Sequence, residues 1–286
     1  MASADEFEQV RNDPDPISRG QRATELIATY QQRSTELARL RREAIEISHR
    51  NGLSYTEIAD RLGITSGRIT QIRSAAPKAQ RAFFGVGPVA VGIPRRFGLE
   101  DGRERPFYDA NDQATRESLE RTLAEYALAN SRFPIDPDSD EVPTGDCIIV
   151  CGPKSAPVAG RLLADDPVLA FDHTDEGWSI TDERTSERHF SPYRSPSKQH
   201  TDIGYFSRRI DRGRVIVHIA GITSVGSLGV AHWLSENLAT VYSPTAEFTS
   251  GIVACDFDDH FAASDDDFAV TASRLVAGPY TTRSAS

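Results

Sequence analysis

Two glycine-containing turns, CGPKSAP (Cys151 to Pro157) and AGITSVGSLG (Ala220 to Gly229), carry the residue types that hold an anion. Each follows a run rich in β-branched residues and opens what reads as a helix, an arrangement in which free backbone amides face a ligand. Glycine lets the backbone approach closely, and the Ser155, Thr223, Ser224 and Ser227 hydroxyls with the Lys154 ammonium would supply donors. Gly152, Lys154, Ser155, Thr223, Ser224, Gly226 and Ser227 are therefore the candidate ligand-binding residues, and a small phosphate or carboxylate is the candidate ligand. Ordinary strand-to-helix turns chosen for tight geometry are the competing reading.

No catalytic signature accompanies these turns. Gly152-Pro-Lys-Ser lacks the four-residue spacer and second glycine of a P-loop, the GSLG run has no first Gly-x-Gly, and Val225 stands where a nucleophile elbow has its first glycine. The histidines show no HxH, HExxH or HxxxH pair, so no metal site and no cofactor is expected. Cys147, Cys151 and Cys255 lie in apolar strand-like runs with no CxxC spacing, which reads as structural thiols in a reducing compartment. Asp202 and Glu236 are the carboxylates that an enzyme cleaving a nucleotide or glycosidic bond would use; the expectation is that the chain is not an enzyme.

A second chemistry is written in LSYTEIADRLGITSGRITQIR, Leu53 to Arg73. Ser54 or Thr56 can cap a helix with Ile58, Ala59 and Leu62 on its apolar face, Gly63 supplies a turn, and a second helix begins near Thr65 or Ser66 with Ile69 and Ile72 inward. That leaves Ser66, Gly67, Arg68, Thr70 and Gln71 on the open side, with side chains that hydrogen-bond base edges and phosphates. Arg68 is the candidate for a base edge and Arg73 for a phosphate; Ser54, Tyr55 and Thr65 complete the expected DNA-binding set. Charge agrees, because residues 33 to 81 hold ten Lys/Arg against five Asp/Glu, the first 32 residues net −3, and residues 82 to 286 carry −12 of the overall −10. One basic block in an acidic chain neutralises phosphates locally while the remainder repels nucleic acid.

The pattern Leu-Ser-Tyr-x-Glu-Ile-Ala-x-x-Leu-Gly-Ile-Thr-x-Gly-x-Ile-x-Gln-Ile resembles the helix-turn-helix of the promoter-reading C-terminal region, region 4, of sigma factors. The resemblance covers about 50 residues, Ser34 to Arg81, and Arg/Ala-rich helices leading into such a motif before a larger domain are similar to sigma-like DNA-binding proteins of actinobacteria. It implies double-stranded DNA as a partner, and DNA reading rather than initiation, because the residues upstream leave no room for a promoter-melting domain.

Elements must position both sets. Ser18 and Gln21 have capping-box spacing at the head of a long helical segment in which Ala23, Leu26, Tyr30, Arg33, Leu37, Leu40, Ala44 and Ile47 alternate in steps of three and four. The stripe is either a dimer seam or the surface that packs on the two motif helices; packing is favoured for Leu37 to Ile47, the first half is open, and Ser34 can restart a separate helix. SAAPKAQRAFFGVGP then marks a boundary. Beyond it, VAVGIP, DCIIVCGP and RVIVHIAGI read as buried strands, with helices over 111–131, 155–163 and 229–242 between and after them, and a parallel sheet follows. The stretch around Asp175-Glu176-Gly177 reads as an antiparallel meander on an edge, and FTSGIVACDF and DFAVTASRLV as strands flanking an acidic loop, DDHFAASDDD.

The expected fold is α/β with an all-α N-terminal helix-turn-helix domain over residues 1–82 and a Rossmann-like parallel sheet with antiparallel additions over 85–286. A hydrophobic content of 38% is enough for a core in a chain of 286 residues. No run is long enough to span a membrane and the N-terminus is acidic, so the cytoplasm is expected. The expected function is a sequence-specific DNA-binding transcription regulator, a homodimer, with a C-terminal sensor or dimerisation domain. The alternatives are a nucleotide-processing enzyme with a self-regulatory DNA module, and a sigma-like adaptor that touches RNA polymerase.

Overall fold

The computed structural model describes residues 2–258 and 269–283. Helix α1 (Ala2–Arg11) leads into α2 (Pro16–Arg50), a single helix of 35 residues. Asp15 caps α2 by accepting from the Ser18 amide, with Pro16 in its first turn, so the cap falls three residues before the expected Ser18. Nothing breaks the helix at Ser34. Helix α3 (Tyr55–Leu62) starts at a complete capping box between Ser54 and Glu57 and ends at Gly63, whose φ of 65° is the left-handed conformation the turn requires. Helix α4 (Ser66–Ala75) is capped by Thr65. Ile45 of α2 buries with Ile58, Ala59, Ile69 and Ile72 to form the core of this unit. Two expectations fail here: Leu62 is half exposed, and Leu37, Leu40 and Ile47 lie outward rather than on the motif helices. The physical reason is that Ile45, one residue off the seven-residue stripe, is the position of α2 that meets α3 and α4.

A short 3-10 turn (Ala79–Phe83) belongs to the next core and not to a loose connection, since Phe83 and Phe84 are fully buried. Then come β1 (Val89–Pro94), the hairpin β2 (Arg96–Glu100) and β3 (Arg103–Phe107), α5 (Ala110–Glu125), β4 (Asn130–Ile135), β5 (Cys147–Val150) and α6 (Pro157–Ala164). The meander β6 (Leu169–Thr174), β7 (Gly177–Asp182) and β8 (Glu187–Phe190) follows, then β9 (Thr201–Asp211), β10 (Arg214–Gly221), α7 (Ser224–Val241), β11 (Phe248–Asp258) and β12 (Ala269–Thr282). Most of the expected acidic loop lies outside the described residues.

The main sheet has seven strands in the order β12-β11-β9-β10-β5-β1-β4. β10, β5, β1 and β4 run parallel, while β9, β11 and β12 pair antiparallel, so half of the sheet is parallel. Alternate residues of β5 enter different cores: Ile148 and Val150 pack under α5 and α7, while Cys147 and Ile149 pack under α6. Both faces are thus covered, which is why these strands read as unbroken apolar runs. The meander is a separate three-stranded sheet, not an edge of the main one, and it packs through Leu169 and Ile180 against Ile203, Tyr205 and Ile252. No helix among the described residues is long and apolar enough to cross a membrane.

Candidate functional site

On the helical unit, Ser66, Gly67, Arg68, Thr70 and Gln71 are all exposed along α4. Arg68 donates to Gln71 Oε1 at 3.0 Å, which aligns the two side chains on the open face. A Cβ at Gly67 would meet only Thr65 Oγ1, at 4.0 Å, so the fold does not demand glycine there, and its absence keeps the first turn of α4 flat. Thr65 is occupied as the cap, accepting from the Arg68 amide, and Ser54 is occupied in the capping box of α3.

Arg73 and Tyr55 do not stand with the open set. Arg73 pairs with Glu46 of α2 at 2.7 Å and lies 4.3 Å from the Tyr55 ring centroid. Tyr55 also stacks on His49 of α2 with centroids 4.0 Å apart. Two rings and a guanidinium tie α3 and α4 to α2, so Arg73, the candidate for a phosphate, is also a brace to Glu46 whose side chain stays partly exposed, and Tyr55 is its platform.

The two glycine turns meet in one cleft. β5 and β10 are parallel neighbours, with Ile219 opposite Val150, so both turns emerge at one sheet edge. The Cys151 amide donates to Ile219 O at 2.9 Å, and Lys154 Nζ donates to Ile222 O at 2.6 Å. Gly152, Lys154, Ser155, Thr223, Ser224 and Ser227 line a cleft of about 590 Å³. A second lobe of about 440 Å³ adjoins it and shares Lys154, Arg194 and Ile222.

Helix α7 begins at Ser224, five residues before the expected Gly229, and this changes what its amides do. Asp202 of β9, wholly buried, accepts from Thr223 N, Thr223 Oγ1 and Gly226 N at 3.2, 2.6 and 2.8 Å. An internal carboxylate therefore holds the place expected for an outside anion. Ser227 Oγ is also engaged, accepting from Gly221 N at 2.8 Å. Gly226 is a packing residue: a Cβ there would lie 2.3 Å from Ile203 O. Of the expected donors that line the cleft, Lys154, Ser155 and Ser224 stand outside these internal bonds of Thr223 and Ser227, and Asn111 of α5 donates to Ser224 at 3.3 Å.

Cations that the sequence reading passed over complete the cleft. Arg95 and Arg96 follow β1 at the same edge, and Arg194 comes from the short turn after the meander. Arg95 and Arg96 were readable by the rule applied to the two turns, since they stand at the C-terminal end of a buried parallel strand. Arg96 pairs with Asp112 at 2.9 Å; burial pushes the Asp112 carboxyl up to about 6 even against that guanidinium. Lys154 is held below its ordinary range, first by burial and then by the Arg194 charge. Phe97 and Phe107 of the β2–β3 hairpin wall the outer side.

Asp112 apart, the acids, bases and nucleophiles nearby are poorly placed. Burial pushes the Cys151 thiol up to about 12, which removes its thiolate at neutral pH. His218 is fully buried behind the cleft, donating from Nε2 to Cys151 O at 2.8 Å, and burial holds its pKa down to about 4. Asp202 is shut inside as the α7 cap, and Glu236 is exposed twelve residues into α7, about 18 Å along the axis from its start. The two carboxylates do not share a site. Comparison with protein-family models, with curated proteins and with solved structures finds no significant match.

Proposed function

We propose that this chain is a sequence-specific DNA-binding regulator: α3, Gly63 and α4 act as a helix-turn-helix, and the Rossmann-like half of the sheet presents the cleft to a small anion. One observation carries the reading. The open face of α4 from Ser66 to Gln71 is polar, flat at Gly67 and set in the basic part of the chain, while Ile69 and Ile72, with the Arg73 brace, hold the helix to the core. A recognition helix needs that division, with its N-terminal residues free for base edges.

Arg68→Ala is expected to weaken specific binding by about 1 to 3 kcal/mol and to relax base preference, as for loss of one good base-edge contact. A selection of bound fragments from genomic DNA supplies the site, and a gel-shift titration supplies the ratio of specific to random binding; an unchanged ratio in the variant sinks the assignment. Arg73→Ala separates brace from reader. Because Arg73 is tied to Glu46, its loss should lower thermal stability along with affinity, and not affinity alone.

The reader works as a pair. Ala23 to Ile47 of α2 repeat in sevens, and Tyr30, Leu37, Leu40 and Ile47 remain exposed, so a second copy of α2 is the partner that would bury them in a coiled-coil seam. Doubling extends the contact to two half-sites about one helical turn apart. Light scattering is expected to give a dimer for the parent and a monomer for the Leu37→Glu, Leu40→Glu variant. A monomeric parent at tens of micromolar, with or without DNA, would rule the seam out.

A further inference from the structure

Three cations converge where the two lobes of the cleft join. Lys154 bonds to a carbonyl instead of a carboxylate, Arg194 is exposed and has no hydrogen bond or ion pair from its guanidinium among the described residues, and the enclosed Arg96 Nε has no acceptor. Arg194 and Arg96 both depress the Lys154 pKa while Asp202 raises it, so like charges crowd Lys154 with only Asp202 as a counterweight. A bound anion relieves that repulsion and satisfies open donors.

The lobes differ in character. One is walled by Trp178, Phe190, Pro196 and Ile222, with Glu176 at its side. An aromatic and aliphatic wall favours a planar apolar group over a hydroxylated sugar, and a carboxylate beside it accepts from an amine. The other lobe carries Arg95 and Arg96 and the mouth of the hairpin. Volumes of about 590 and 440 Å³ each suit part or all of a small ligand and are too small for a polymer duplex.

From this juxtaposition we infer that the cleft binds a nucleotide, its phosphate at Lys154, Arg194 and Arg96 and its base in the Trp178 lobe. The inference rests on the reading of the cleft as a small-anion site and names the class of anion. Phosphate oxygens take the three cations at the junction, and further phosphates extend toward Arg95. The base lies against the Trp178 and Phe190 walls, with Glu176 positioned for an exocyclic amine.

Isothermal titration of the full-length chain with the four ribonucleoside monophosphates, their nucleosides, ribose 5-phosphate and citrate tests this. At least one monophosphate is expected to bind tenfold or more tighter than both its nucleoside and ribose 5-phosphate. Arg194→Ala, a change at an exposed residue, should weaken that nucleotide at least tenfold, and Lys154→Ala should do the same. Trp178→Ala should erase the preference over ribose 5-phosphate while leaving ribose 5-phosphate itself unchanged. Citrate or ribose 5-phosphate binding as well as the best nucleotide would overturn the nucleotide inference and keep the small-anion reading. Binding of none of these, or nucleotide binding that survives Arg194→Ala, would overturn both for this cleft.

Discussion

Arg81→Ala is expected to lower the stability of the full chain by about 3 to 5 kcal/mol, the usual loss when one partner of a buried charged network is removed. Arg81 is completely buried. Its guanidinium donates to Tyr126 O at 3.0 Å, Ala127 O at 2.7 Å and Val86 O at 2.6 Å, and to Gln32 Oε1 of α2 at 2.7 Å. Glu36 of α2 lies 3.8 Å away and is the nearest opposite charge. Alanine would leave three carbonyls and one amide oxygen enclosed without donors, in addition to a cavity. Lysine should restore little, because a single ammonium cannot reproduce a planar fork that reaches four acceptors. Urea denaturation followed by circular dichroism measures the change, and an Arg81→Ala variant within about 1 kcal/mol of the parent would contradict the network.

Asp202→Ala comes next, at about 2 to 4 kcal/mol, since hydrogen bonds to a charged group contribute about 1.5 to 3 kcal/mol each and are not additive. The carboxylate ties β9 to the start of α7 through Thr223 and Gly226, and Gly204 and Gly226 permit the close approach: a Cβ on either would lie 2.3 Å from backbone oxygen. Asp202→Asn should recover part of the loss, keeping an acceptor without the charge that favours a helix N-terminus. Formate should also stabilise the Asp202→Ala variant while leaving the parent unaffected, because the deletion opens an anion position that the parent fills from within. Thermal unfolding with and without formate reads both effects, and equal melting temperatures for parent and variant without formate would dismiss Asp202 as the anchor of α7.

What the sequence disclosed depended on where polar groups go. β1, β5 and β10 were legible because both of their faces are buried, so VAVGIP, CIIV and RVIVHIAG carry few polar side chains. β9 escaped notice although it is central and pairs with both β10 and β11. TDIGYFSRRID places Asp202, Ser207 and Arg208 in the interior, where Asp202 caps α7 and Arg208 donates to the carbonyls of Ala82, Phe83 and Ala246. A polarity pattern cannot show that a charged residue has buried partners elsewhere in the chain. The β2–β3 hairpin escaped for the opposite reason: Asp101 and Gly102, with φ of 51° and 72°, form its turn and Phe97 and Leu99 alternate in β2, but β3, RERPF, has no alternation and both strands are largely exposed. β4 was absorbed into the end of a helix because Asn130 and Ser131 continue the α5 pattern past Ala127, whose φ of 54° ends it. For the cleft, the two turns were readable from glycine and hydroxyl content, whereas Arg194 reaches it only through the path of the meander.

Helix α2 runs about 52 Å without interruption, from its 35 residues at 1.5 Å each. It touches the sheet unit through Arg81, first at Gln32 and then at Glu36, and the helical core at Ile45. From Gln32 to Ile45 the footholds span thirteen residues of one rod, so the rod sets azimuth as well as distance. Each added residue between them would rotate α4 about the rod by about 100°, and two would aim its polar face nearly backwards; seven would return it to within about 20° of its bearing. A tilt of the rod at Gln32 is likewise delivered to α4 as a swing of the whole arm, with no slack coupling in which it could be absorbed.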